Sequence, residues 1–186
     1  MKMLRYLDVQ NILDKNDLIL QESGCVGSEN ERGNTYMKKI GIVTDSHSSI
    51  SQEEAEKLGI FVLPMPFYID GECFYESVTL SRELFFEKLA AGADITTSQP
   101  SPTAVMEIWD RALEQFEKIL YMPISSGLSG SYETAMMLAK DEAYEGRVLV
   151  VDDGQVAAPL HQMVLDTLDM IKKGYEAEQI RDLLER

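Results

Sequence analysis

The chain has 186 residues, 45% hydrophobic and 26% charged, enough apolar material for one globular domain plus an appendage. Its 17 basic against 32 acidic side chains leave a net charge of −15, which argues against general binding to nucleic acid or to an anionic membrane surface. Cys25 and Cys73, the 2 cysteines, imply no disulfide framework and have no zinc-type spacing, and no run approaches the roughly 18 apolar residues of a membrane span.

In chain order, residues 1 to 36 read as an extension or linker, weakly ordered at best. Leu4, Leu7, Ile12 and Leu13 can line a short amphipathic helix, whereas Glu22 to Asn34 is rich in Gly, Ser and charge. The segment has no long uncharged apolar core of the signal-peptide kind, so free thiols and a cytoplasmic location are expected. From residue 37 on, apolar runs alternate with helical patterns. Ile40 to Val43, Gly59 to Phe67, Ile119 to Ile124 and Val148 to Val151 read as strands. Helices are predicted over Ser51 to Leu58, Ser81 to Ala91, Thr103 to Glu117, Tyr132 to Asp141, Pro159 to Lys173 and Ala177 to Leu184, with Gly92 and Gly174 as stops. Asp70-Gly71 between apolar flanks predicts a β-hairpin over Phe67 to Tyr75. This alternation gives an α/β fold, a mostly parallel sheet with helices on both faces.

Three strand-to-helix junctions carry clustered hydroxyls. The richest is Ser125-Ser126-Gly127-Leu128-Ser129-Gly130-Ser131-Tyr132, which feeds a predicted helix N-terminus. There the first N–H groups lack intrahelical partners and the macrodipole is positive, so a carboxylate or phosphate can be held. Capping by Ser129 or Ser131 is the competing reading. In Thr96-Thr97-Ser98-Gln99-Pro100-Ser101-Pro102, Ser101 fits a cap and Pro102 a first helical turn, leaving Thr97 and Ser98 without a structural job. The third junction is Thr44-Asp45-Ser46-His47-Ser48-Ser49, where Asp45 fits capping or loop bonding better than chemistry. In a parallel sheet such junctions lie at the carboxyl ends of strands, where ligands bind.

Together, Met37-Lys38-Lys39-Ile40-Gly41-Ile42-Val43-Thr44-Asp45-Ser46, Thr97-Ser98-Gln99-Pro100-Ser101 and Ser126-Gly127-Leu128-Ser129-Gly130-Ser131-Tyr132 resemble the DegV family of lipid-binding proteins, from Met37 onward. The family includes the fatty-acid-binding subunits of bacterial fatty acid kinases. The resemblance implies that residues 37 to 186 match the family's N-terminal lipid-binding domain. Its ligand would be a long-chain fatty acid whose carboxylate is held by Thr97 and Ser129, with Ser98, Ser126, Gly127 and Gly130 around them. It also implies a carrier rather than an enzyme, with no cofactor and no metal, presenting the acid to a separate ATP-dependent fatty acid kinase. The chain departs from the family at Val151-Asp152-Asp153-Gly154, where the family has Asp-Ser and then a basic residue. Family members also continue into a second domain with a Gly-Gly-Arg motif and a late His, whereas this chain stops at Arg186.

A buried sixteen-carbon tail would contribute on the order of 10 kcal/mol gross, at roughly 0.8 kcal/mol per methylene. Met106, Met136, Met137 and Met163 are candidates to line its path, though core packing suits each of them better. Two rivals remain open. Ser129 sits where a nucleophile elbow would place a serine hydrolase's nucleophile, yet the second elbow glycine is replaced by Ser131 and the chain has only His47 and His161 to serve as base. The other rival is a truncated fragment that binds nothing and exposes an apolar groove.

Overall fold

A computed structural model of the chain describes residues 38–75 and 78–185; the expected extension over residues 1 to 36, and Cys25 with it, lie outside the described residues. Strand β1 (Lys38–Asp45) is followed by a 3-10 turn (Ser46–Ser48), helix α1 (Gln52–Leu58) and strand β2 (Phe61–Leu63). An excursion then comprises β3 (Pro66–Ile69), β4 (Glu72–Tyr75), α2 (Arg82–Ala90) and β5 (Ile95–Thr97). The chain returns through α3 (Pro102–Leu113) to β6 (Phe116–Met122), α4 (Ser131–Leu138), β7 (Val148–Val150), α5 (Ala158–Lys172) and α6 (Ala177–Leu184).

The larger sheet has the order β2-β1-β6-β7 and every pairing is parallel. From β1 the chain winds outward to β2 on one side and later resumes at β6 on the other. The winding therefore reverses between β1 and β6, which opens a crevice at their carboxyl ends. Strand alternation builds a core on each face. Val43, Ile119, Tyr121 and Val150 meet Trp109, Ile108 and Ala112 of α3 and Ala135 of α4. Ile42, Leu120, Met122 and Val151 meet Ala55 of α1, Leu160 and Val164 of α5 and Ile180 of α6. Each fully buried Ile, Leu or Val contributes roughly 1.5–3 kcal/mol relative to exposure, so this two-sided packing carries most of the fold.

Serine caps set several helix starts as their positions predict. Ser51 accepts the N–H of Glu54, Ser81 that of Leu84 and Ser101 that of Ala104, with Pro102 in the first turn of α3. The expected hairpin is β3 and β4, antiparallel, turned by Asp70 and Gly71 at φ 50° and 80°. Three features differ from expectation. The run Gly59 to Phe67 is divided between β2 and β3, which lie in different sheets. Ile95–Thr97, at a strand-to-helix junction but not among the predicted strands, is strand β5 and pairs antiparallel with β3, giving a second sheet of order β4-β3-β5. Helix α3 ends at Leu113 rather than continuing to Glu117, because Phe116 already pairs with Lys38 across the β1–β6 ladder.

Helix α2 mixes charged and apolar residues around its circumference instead of sorting them onto separate faces. Phe85 meets Phe67 of β3 edge-on at 5.6 Å between ring centroids, while Leu84, Phe86 and Leu89 are exposed. Among the described residues no helix is long and apolar enough to cross a membrane. Cys73 is an exposed free thiol.

Candidate functional site

The site is organised by Asp45, fully buried at the end of β1. Its Oδ1 accepts the N–H of His47 at 3.0 Å and its Oδ2 accepts the N–H of Ile124 at 2.8 Å, so one carboxylate ties the carboxyl ends of β1 and β6 across the crevice. The adjacent Thr44 hydroxyl donates to the carbonyl of Met122 at 2.8 Å, a second tie between the same strands. Asp45 therefore does the loop bonding its position predicts. Ser46 and Ser48 are also structural: Ser46 Oγ accepts the N–H of Met65, and Ser48 Oγ donates to the carbonyl of Asp45.

Beyond Ile124 the chain turns into the glycine- and serine-rich loop. Ser125 Oγ accepts the N–H of Gly127 at 3.2 Å, and the carbonyl of Ser125 accepts the N–H groups of Leu128 and Ser129. Helix α4 then begins at Gly130 with no side-chain cap, unlike the serine-capped helices elsewhere. Ser129 and Ser131 are joined hydroxyl to hydroxyl at 2.8 Å, and Ser129 Oγ also accepts the N–H of Ser131. Ser129 thus satisfies the first N–H of α4 from outside the helix, while the cap position, Gly130, has no side chain to do so. The result is a first turn whose remaining N–H groups lack a side-chain acceptor, beside two hydroxyls.

Thr97 ends β5, in register with Phe67, and is exposed. Ser98 is held through its N–H to the carbonyl of Pro66, and its hydroxyl donates to the carbonyl of Gln99. Gln99 joins this segment to the α4 loop. Its Oε1 accepts from the Thr134 hydroxyl at 3.4 Å, and a Cβ placed on Gly130 would lie 3.4 Å from the same oxygen. That is an ordinary contact with the end of a flexible side chain, so the approach of the two segments does not require a glycine at 130. At Gly127 an added Cβ would meet only Ser125 Oγ at an ordinary 3.6 Å. Ser126 is half-buried and gives its N–H to Asp152 Oδ1 at 3.3 Å.

The four methionines do not form one wall. Met106 packs on the α3 side of the sheet and Met163 on the α5 side, while Met136 and Met137 are exposed on α4. Sequence reasoning missed Gln99 as the link to α4, whereas the loop after β7, singled out in the sequence at Asp152-Asp153-Gly154, does join the serine loop. In that loop the carbonyl of Gln155 accepts the N–H of Ser125 at 3.0 Å. Asp153 Oδ1 accepts the N–H of Gln155 at 2.9 Å, and burial pushes the Asp153 carboxyl above the usual carboxylate range, with Asp152 and Asp45 adding to the rise.

Ala157, just before α5, has φ 55° and ψ −133° and gives its N–H to the carbonyl of His47 at 2.7 Å. That conformation suits glycine and strains an alanine by roughly 1–3 kcal/mol. Ala157→Gly is expected to raise stability by about 1 kcal/mol after the loss of backbone entropy is counted. Urea unfolding checks it, and a destabilised variant would contradict the strain.

Both histidines face carboxylates: His47 Nδ1 lies 3.4 Å from Asp45 Oδ1, and His161 Nε2 lies 3.1 Å from Glu54 Oε1. Among the described residues no group of three or more His, Cys, Asp or Glu is placed to hold a metal ion.

This order of hydroxyl loops at the ends of a parallel sheet has a counterpart among known proteins: the family model described as DegV, an uncharacterised protein family, matches residues 39–186. The chain belongs to the DegV family. A DegV domain-containing protein of Deinococcus radiodurans is 35% identical over 148 residues, covering 79% of this chain and 52% of its own length. A DegV family protein from Thermus thermophilus, solved in a study of its fatty acid binding, superposes with a TM-score of 0.72 at 32% identity, over 80% of this chain and 52% of that one. DegV of Bacillus subtilis, a fatty acid binding protein, gives 0.70 at 25% identity, over 81% and 53%. The chain thus spans about half the length of the DegV relatives it matches.

Proposed function

We propose that this chain binds a long-chain fatty acid, with the carboxylate held by Thr97 and Ser129, flanked by Ser98, Ser126 and the backbone at Gly127 and Gly130. The observation that carries this reading is the uncapped start of α4, where Ser129 and Ser131 share a hydrogen bond and Gln99 brings the Thr97 segment alongside. An anion there would receive the N–H groups beyond Ser131 that no described side chain satisfies, and the helix dipole would favour its charge. The fatty acid binding of the Thermus and Bacillus relatives supports the choice of a carboxylate over a phosphate. Residues 37 to 186 act in this reading as the family's N-terminal lipid-binding domain, working in the cytoplasm downstream of the extension over residues 1 to 36.

Ser129 serves as a donor rather than a nucleophile in this reading, its hydroxyl being engaged with Ser131. The chain then carries substrate for a separate ATP-dependent kinase and does no chemistry itself. Acid-dependent ATP consumption by that kinase, appearing only when this protein is added, tests the carrier role.

Native intact mass of the purified protein and analysis of its organic extract test the binding. A stoichiometric fatty acid is expected. Thr97→Ala combined with Ser129→Ala removes two charge-assisted donors worth roughly 1.5–3 kcal/mol each, so palmitate affinity is expected to fall at least about a hundredfold. A folded protein that is empty and does not take up added palmitate would overturn the reading. Labelling of Ser129 by a fluorophosphonate would favour the hydrolase instead.

A further inference from the structure

Asp153 carries a feature that the fatty acid site does not account for. Its Oδ1 is used by the Gln155 N–H, but its Oδ2 is shielded from solvent and accepts no hydrogen bond from any described residue. A carboxylate in that position is costly, because burial removes its hydration and nothing replaces it. The loop that carries it is joined to the site by two bonds, from the Ser125 N–H to the Gln155 carbonyl and from the Ser126 N–H to Asp152 Oδ1. Asp153 therefore stands beside the serine loop that opens α4.

Resting on the fatty acid reading above, we infer that Asp153 makes ligand binding proton-linked: an acyl carboxylate enters with one proton taken from solvent and held on Asp153 Oδ2. Two carboxylates sharing one partly dry site do not both stay ionised, so the arrival of the second favours protonation of the first. The surrounding charges act in the same direction. Asp45 at the end of β1 and Asp152 in the same loop both push the Asp153 carboxyl up. Glu185 after α6 accepts the Asp152 N–H, adding a further acidic group. On the other side, His47 faces Asp45 from the turn after β1, and Arg181 of α6 acts on Tyr132 of α4 and pairs with Asp182. The site thus prefers a monoanionic headgroup and holds it most tightly below neutral pH, while a hydroxyl or amide at position 153 would remove the preference.

The test compares the full chain with Asp153→Asn and Asp153→Ser, measuring palmitate affinity between about pH 5 and pH 8. Hexadecanesulfonate serves as a second probe whose own charge does not change over that range. Wild-type affinity is expected to fall about tenfold or more for both probes as pH rises, with a flat profile and tighter binding near pH 8 in both variants. Calorimetry of the wild type in buffers of different ionisation enthalpy is expected to show net proton uptake on hexadecanesulfonate binding. Binding with the same pH profile in all three proteins, or without proton uptake, would overturn the inference while leaving the fatty acid reading intact. No uptake of either probe by any of the three folded proteins would overturn both.

Discussion

Asp45→Ala is expected to destabilise the protein by about 4 kcal/mol and to abolish ligand binding with it. Asp45 is fully buried and each carboxylate oxygen accepts a main-chain N–H, from His47 and from Ile124. Alanine would leave both donors without partners inside the protein, at roughly 1–3 kcal/mol each, and a small void where the carboxylate stood. The site suffers too, because Ile124 leads directly into the loop that presents Ser125 to Ser131. Asp45→Asn retains one acceptor oxygen but turns an amide NH2 toward the other donor, so about half of that cost is expected. Urea unfolding with an unchanged m-value reads both numbers. A loss under about 1 kcal/mol for the alanine would mean that water satisfies both N–H groups, and that the crevice between β1 and β6 is not held shut by this side chain.

Much of this architecture was visible in the residues. The apolar runs marked the core strands, and the serines at 51, 81 and 101 marked helix starts, because capping depends only on residues three apart. What stayed hidden depends on partners distant in sequence. Ile95–Thr97 is a strand only because β3 lies beside it, although three β-branched residues in a row were a usable signal. The overlong α3 has the same cause. Glu114 to Glu117 contains no Gly or Pro to stop a helix, and the pairing of Phe116 with Lys38 overrides the local preference. In the site, the hydroxyls of Thr97, Ser98 and Ser129 stood out by composition. The reach of Gln99 to Thr134 across 35 positions and the shielded oxygen of Asp153 are tertiary facts that no local pattern encodes.

The same long-range logic makes Gly41 one of the least replaceable positions described. It lies in β1, in register with Ile119 of β6, and a Cβ there would stand 2.6 Å from both Cγ and Cδ2 of Phe116. Those atoms are the root of the ring rather than its flexible end. The ring is itself buried in the core that contains Trp109 and Tyr144. Gly41→Ala is therefore expected to cost about 3 kcal/mol, at the upper end of the usual range for overpacking, even though alanine has the better intrinsic propensity for ordered structure. A double-mutant cycle isolates the cause. Phe116→Ala alone is expected to cost about 3–5 kcal/mol through the cavity it leaves. In that background the three nearest atoms that the added methyl of Gly41→Ala would meet are gone, so its penalty is expected to vanish or reverse, a coupling of about 3 kcal/mol. Additive costs from urea unfolding of the four proteins would show that the methyl clashes with the sheet backbone instead of the ring. The coupled result would mean that glycine at 41 is the space in which Phe116 closes the lower end of the sheet, while Asp45 holds the upper end together at the site.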